Sequence, residues 1–564
     1  MTRTNLLTSF AISLCVELFS FNWAAAQEIQ KYKHAAVVCA HPEAARVGVA
    51  IIKDGGNAVD AAIAVQFALA VVYPNAGNIG GGGFMMYRSK TGESDALDYR
   101  ETAPGKASRD MYLDAKGNPV TDKSLLGALA SGVPGSVDGM VKAHNKYGKL
   151  KWKKDVQPAI DLAEKGFAVT AQQAAELNRH KADFLKYNHK PVAFVKEALW
   201  KEGDLLKQPQ LAATLKLIRD KGRAGFYEGP VAAAIVAAMA HTQGIISEQD
   251  LKEYKSVWRK PVSGSYQNYT VISMPPPSSG GIALLTMLKQ VGNYPLSRWG
   301  FQQDSTVQLM VEVERRAYAD RASYLGDPDF FKVPQTALLD TNYIQSRMKD
   351  LSFEKATLST DVKPGVLPGY ESEQTTHYSI VDAEGNAVSA TTTLNGSYGS
   401  LVVVDGAGFI LNNEMDDFSV KPGSPNMYGL IGGEANSIYA GKRMLSSMTP
   451  TIIEKDGKLL MVVGTPGGST IITSVFQTVL NVLAFGQGMQ AAVAAPRFHH
   501  QWLPDDVTVE KGAIAPAARA HLQVKGYTFK ERGSIGRVDA ILVRPDGELE
   551  TGADPRGNDT ASGF

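Results

Sequence analysis

The segment DGGNAVDAAIAVQFALAVVYP, residues 54–74, constrains this chain more than any other. It reads as one helix, with Asn57 placed to cap its start and Pro74 to end it. Apolar side chains point in nearly every direction around it, so the helix must be covered on all sides. The apolar run at the N-terminus is too short for a membrane anchor, and no later segment approaches the roughly 18 consecutive apolar residues that a span requires. The cover must come from the chain itself, and 564 residues with 44% hydrophobic and 20% charged side chains supply it.

The next stretch, NAGNIGGGGFMMY, has glycines that allow close backbone approach or positive φ angles. It lacks the Gly-Lys-Ser/Thr ending and the following helix of a phosphate loop, so it reads as a tight turn into the strand FMMYRS. Residues 105–350 are mostly helical in pattern, as in VQPAIDLAEKGF and DSTVQLMVEVERRAYADRASYLGD. MPPPSSGGIALLTMLKQ, residues 274–290, places a proline run and a glycine turn before another helix. The last third alternates instead. THYSIVDAEGNAVSATTTLN is a hairpin around Ala-Glu-Gly-Asn, and KLLMVVGTPGGSTIITSVFQTVLNVL is strand, Gly-Gly turn and apolar helix. The fold class is therefore α+β, antiparallel strands covered by helices.

The N-terminal MTRTNLLTSFAISLCVELFSFNWAAAQEIQ, with Arg3, an apolar run and Ala24–Ala26 before Gln27, has the form of a cleaved export signal. Cleavage after Ala26 removes Arg3 and Glu17 together, and the formal charge of +1 is unchanged. A nearly neutral chain has no general footprint for nucleic acid or an anionic membrane, which points to a small-molecule substrate. Processing leaves Cys39 as the single cysteine, so no internal disulfide and no cysteine-based metal site is expected.

There is no Gly-x-Ser-x-Gly elbow and no His-Glu-x-x-His motif. His499 and His500 are adjacent, so on a strand their rings point to opposite faces and chelate poorly, and neither a metal nor a cofactor is expected. TPGGS, residues 465–469, can aim backbone N–H groups at one point beside a helix N-terminus, as an oxyanion hole does. QTTHYS, residues 374–379, offers threonine hydroxyls beside His377. A threonine hydroxyl needs a base, and one documented base is the threonine's own terminal amine, whose ordinary pKa is about 7.7–8.0. In an intact chain that nitrogen is an amide, so the mechanism demands a cut just before the threonine.

The motifs GGNAVDAA, GNIGGGGFM, LDYRETAPG, MPPPSSGG, YLGDPDF, QTTHYS, NNEMDDFS, RMLSSMTPT, GTPGGS and APRFHHQW, in this order along the chain, closely resemble those of the gamma-glutamyltransferases (gamma-glutamyltranspeptidases), N-terminal-nucleophile hydrolases. The resemblance implies a four-layer αββα sandwich instead of the about three or four domains that length alone suggests. It implies a precursor that cuts itself between Gln374 and Thr375 into a large subunit, 27–374, and a small one, 375–564, intertwined as a heterodimer. Thr375 matches the nucleophile, Thr393 the threonine that positions it, Asn395 a substrate contact, and Gly467 and Gly468 the oxyanion pair. Arg100 with Ser446 and Ser447 matches a clamp for the substrate α-carboxylate, and Glu414 with Asp417 a clamp for its α-ammonium. Such a set suits a glutamyl head group.

KPGSPNMYGLIGG, residues 421–433, matches a lid loop in which Tyr428 gates the pocket. The related cephalosporin acylases tend to lack this lid. The C-terminal ADPRGNDTASGF departs from the family pattern after Asp-Pro-Arg. The implied activity is cleavage of gamma-glutamyl bonds, as in glutathione, with water, an amino acid or a short peptide as acceptor, in the periplasm or outside the cell. His377 lies on the face of Thr375 but about 6–7 Å further along the strand, which gives it a structural or supporting role. Two alternatives use the same residues: an acylase for a glutaryl or β-lactam side chain, and a binding protein that stays one intact chain.

Overall fold

The computed structural model describes residues 29–362, 375–421 and 434–564. The expected leader, Gln374 and the lid with Tyr428 lie outside the described residues. Two seven-stranded sheets form the centre. The first runs Thr560–Gly563, Ala36–Cys39, Thr376–Val381, Ala387–Thr393, Gly82–Arg88, Ser94–Asp98, Val257–Arg259. The second runs Lys31–Tyr32, Leu549–Gly552, Asp539–Val543, Lys458–Gly464, Thr451–Lys455, Tyr269–Ser273, Val262–Tyr266. Every pairing within both is antiparallel.

Side-chain alternation then divides the core into layers. Val37, Met85, Tyr378, Ile380 and Val388 face one helical layer, while Ala36, Val38, Phe84, Met86, Val381 and Ala387 face Ile272, Ile452, Val462 and Ile541 of the second sheet. On the far side of that sheet, Val271, Ile453, Met461 and Val463 pack on the helices Gly280–Val291, Asp304–Tyr324 and Thr470–Leu483. The result is the expected αββα sandwich. Each sheet draws strands from both sides of residue 375, so the two segments are interleaved in both sheets.

The all-apolar segment is the helix Ala58–Val72, buried at every residue. Asn57 Oδ1 accepts from the Val59 and Asp60 N–H groups at 2.9 and 3.0 Å, and Asp60 Oδ2 accepts from Asn57 N at 2.9 Å. This capping box sets its start. The first sheet lies on one side of the helix and the helices Pro42–Lys53 and Trp152–Lys165 on others, which explains the lack of a polar stripe.

The glycine run is needed for close approach, since none of Gly80–Gly83 has positive φ. A Cβ on Gly80, Gly81, Gly82 or Gly83 would lie 2.2, 2.1, 2.5 or 2.4 Å from the carbonyl oxygens of Ile410, Thr393, Tyr99 and Thr391 respectively. Residues 105–350 are mostly helical, as read, but they also supply three strands of the two central sheets, Val257–Arg259, Val262–Tyr266 and Tyr269–Ser273. They are short, and the alternation they need is completed by partners distant in sequence. No helix among the described residues is long and apolar enough to cross a membrane.

Candidate active site

The hairpin aligns Thr376 with Thr392, so one further step places Thr375 opposite Thr393 at the open end of the ladder. By alternation both belong to the face between the sheets, shared with His377 and Val381. Thr375 is 7% exposed. Thr393 Oγ1 accepts from Asn395 N at 2.7 Å, and Asn395, at φ +69°, donates through Nδ2 to Asn413 O at 2.9 Å. Asn413 in turn accepts from Gly396 N at 2.7 Å, tying this loop to the short helical turn Glu414–Asp417.

One small cavity is lined by Arg100, Thr375, Thr393, Asn395, Glu414, Asp417, Ser446 and Ser447, together with Met448 and Ile471. Eight residues named from the sequence, spread from 100 to 447, thus meet at one point.

Their mutual arrangement is finer than two separate clamps. The Arg100 guanidinium, 1% exposed, donates to both Glu414 and Asp417 and to the carbonyl of Leu445 at 3.1 Å. Glu101, which the motif reading passed over although it stands in LDYRETAPG, adds a third carboxylate 3.8 Å away. Burial pushes the Glu101 and Glu414 carboxyls upward, against the pull of Arg100. Burial also works against the Arg100 charge, but Glu414, Asp417 and Glu101 outweigh it and hold its pKa above the ordinary value. A bound ammonium group would favour the ionised forms of these three carboxyls, opposing the effect of burial. Glu414 Oε2 and Ser447 Oγ have no hydrogen-bond partner among the described residues, so an acceptor and a hydroxyl remain for a ligand.

The serine loop is held from behind by the proline run and turn of MPPPSSGG. Ser446 N donates to Pro277 O at 2.9 Å, and Ser279 N and Oγ donate to Ser446 O at 2.6 and 2.8 Å.

Gly467 and Gly468, at φ +137° and +58°, join the strand Lys458–Gly464 to the helix Thr470–Leu483. The Gly467 carbonyl accepts from Thr470 N and Oγ1 at 3.1 and 2.7 Å, and the Gly468 carbonyl accepts from Ile471 N at 3.0 Å. In a trans peptide C=O and N–H point oppositely, so the Gly468 N–H turns away from the helix. Ile471, one turn on, is part of the cavity wall.

His377 is fully buried, with Nδ1 against Thr391 Oγ1 at 2.9 Å and Nε2 against Ser379 Oγ at 3.1 Å. Burial pushes its pKa down to about 3, which makes it a poor base. His499 and His500 diverge: His499 meets Thr473 Oγ1 at 2.9 Å and Gln501 Oε1 at 2.8 Å, while His500 meets Asp505 at 3.3 Å. Among the described residues Asp60, His144 and Asp155 have potential ligand atoms within 4.8 Å of one another, and none of them lines the cavity.

The sequence profile of the family described as Gamma-glutamyltranspeptidase matches residues 44–564. The glutathione hydrolase proenzyme of Escherichia coli K12 is 48% identical over 539 residues, 94% of this chain and 92% of that protein. The crystal structure of Helicobacter pylori gamma-glutamyltranspeptidase superimposes with a TM-score of 0.57 at 45% identity, covering 58% of this chain and 94% of that one. Cephalosporin acylase from Bacillus halodurans gives a TM-score of 0.86 at 26% identity, covering 97% and 99%. With its profile match spanning the fold and its cavity assembled from the family's motifs, the chain belongs to the gamma-glutamyltranspeptidase family.

Proposed function

We propose that this protein is a gamma-glutamyltransferase with glutathione hydrolase activity, made as a precursor that cuts itself between Gln374 and Thr375. The observation that supports it best is the single buried cavity shared by Thr375 and the Arg100–Glu414–Asp417 cluster. In the precursor, Thr375 Oγ attacks the Gln374 carbonyl carbon. The peptide bond gives way to an ester, and water then releases the Gln374 carboxylate and a free Thr375 amine.

That amine, with an ordinary pKa of about 7.7–8.0, takes the proton of the Thr375 hydroxyl. Oγ adds to the gamma-carbonyl of the donor, and the N–H groups of Gly467 and Gly468 stabilise the oxyanion. Collapse returns the proton to the departing amine, cysteinylglycine for glutathione, and leaves a gamma-glutamyl ester on Thr375. Water, an amino acid or a short peptide resolves the ester. Thr393 orients the nucleophile and Asn395 touches the substrate. Arg100, Ser446 and Ser447 hold the α-carboxylate, and Glu414 and Asp417 hold the α-ammonium.

The subunits are 27–374 and 375–564, the leader is 1–26, and the location is periplasmic or extracellular. Tyr428 gates the pocket from the 421–433 lid. The likeness to a cephalosporin acylase favours a second reading, an acylase for glutaryl or β-lactam side chains. Such an enzyme has no use for two carboxylates at an ammonium site.

Purified protein should show two bands, the smaller beginning at Thr375, and Thr375→Ala should remain one inactive band. Another N-terminus, or an active Thr375→Ala protein, defeats the mechanism.

A further inference from the structure

The helix Asp304–Tyr324 is buried throughout residues 306–323 although it carries many charged side chains. A buried polar group needs a partner, and most here find one in the surrounding scaffold. Glu312 pairs with Arg316, Arg315 with Asp505, Asp320 with Arg347, and Glu314 accepts from His500 N at 2.9 Å. Two side chains instead reach the end of the Gly467–Gly468 turn and the segment that holds the serine loop. The Tyr318 hydroxyl donates to the carbonyl of Ser469, the residue after Gly468 and the cap of the helix Thr470–Leu483. Arg321 Nε donates to Ser279 Oγ at 3.0 Å, and that hydroxyl donates to Ser446 O at 2.8 Å.

Tyr318 and Arg321 are three residues apart, so they share one helix face. Tyr318 is held edge-on against the His499 ring, with centroids 5.5 Å apart. We infer that this face is a common brace for the two halves of the site, with Tyr318 a positioning residue for the Gly467–Gly468 turn and Arg321, through Ser279, one for the serine pair. The inference rests on the function proposed above. It also places the brace on the segment before Thr375 and both braced loops after it, so the brace survives cleavage only while the two segments stay assembled.

The two halves do different chemistry, which separates their kinetic signatures. Loss of an interaction used only in the transition state lowers kcat, whereas loss of uniform substrate binding raises KM. Processed enzyme, quantified by its Thr375 N-terminus, is assayed with gamma-glutamyl p-nitroanilide, and its melting midpoint is recorded. Tyr318→Phe should lower kcat about tenfold or more, the scale set by a small misplacement of reacting groups, with KM within about twofold. Arg321→Lys should do the reverse, raising KM about tenfold with kcat within about twofold. Ser279→Ala removes the relay hydroxyl alone and should reproduce the Arg321→Lys result, which keeps that arm testable if Arg321→Lys fails to fold. Variants that change both constants in proportion, that change neither, or that exchange these signatures overturn the brace. A wild-type protein inactive on the anilide defeats the proposed function itself, whereas an active one without the split defeats only the brace.

Discussion

Glu414→Gln separates recognition of an α-ammonium from everything else in the site. The side chain keeps its size and position, but the cluster around Arg100 loses one of the three carboxylates, Glu101, Glu414 and Asp417. A unit charge about 4 Å from an ammonium is worth about 4 kcal/mol at an effective dielectric of about 20. Part of that is recovered because Asp417 remains, and a hydrogen bond to a charged group contributes about 1.5–3 kcal/mol net. The expected loss in kcat/KM for gamma-glutamyl p-nitroanilide is therefore about 10- to 150-fold. The control is glutaryl p-nitroanilide, which keeps the carboxylate and the scissile amide and lacks only the ammonium. Its slower hydrolysis should change by less than about threefold, because no charge pair is lost with it. Equal losses on both substrates would mean that Glu414 acts by holding Arg100, and the assignment of an ammonium site would be wrong.

Arg100→Ala leaves buried carboxylates without their cation, so kcat/KM for the anilide should fall more than about 100-fold; an unchanged KM and rate would refute the carboxylate clamp. Gly464→Ala should lower stability by about 1–3 kcal/mol in urea titrations, because its Cβ would lie 2.3–2.8 Å from the His377 ring atoms. His377→Gln should keep kcat/KM within about threefold and leave the pH–rate profile in place, as befits a residue that is not the base. Its stability carries a pH signature: with a folded pKa of about 3, below the ordinary 6.5, the unfolded state takes the proton first as pH falls. The contribution of neutral His377 is full above pH 6.5 and is lost toward pH 3, so the gap between wild type and His377→Gln should shift against wild type by about 1.4 kcal/mol per unit over that window. Urea titrations at several pH values measure it.

Much of the architecture was legible because it rests on local rules. The 54–74 helix, its Asn57 cap, the 376–393 hairpin and the strand, turn and helix around Gly467–Gly468 each follow from periodicity and turn chemistry within a short window. The eight named positions that line the cavity came from another source: motifs spread along the chain resembled one family, and the resemblance named positions that spacing alone could not connect.

What remained hidden depends on contacts between distant segments. The sequence allowed two uses for Gly80–Gly83, and only the carbonyl oxygens of Ile410, Thr393, Tyr99 and Thr391 crowding their α-carbons decide for close approach. The direct pairing of Arg100 with Glu414 and Asp417 appears only when residues more than 300 positions apart share one cavity. Tyr318 and Arg321 sit in a helix whose pattern says no more than that it is buried, and their partners lie on loops about 150 residues ahead and about 40 behind. Local sequence determined the elements and the chemical inventory. The tertiary structure decided which charges meet, because electrostatic and steric coupling depend on distance in space, and distance along the chain does not report it.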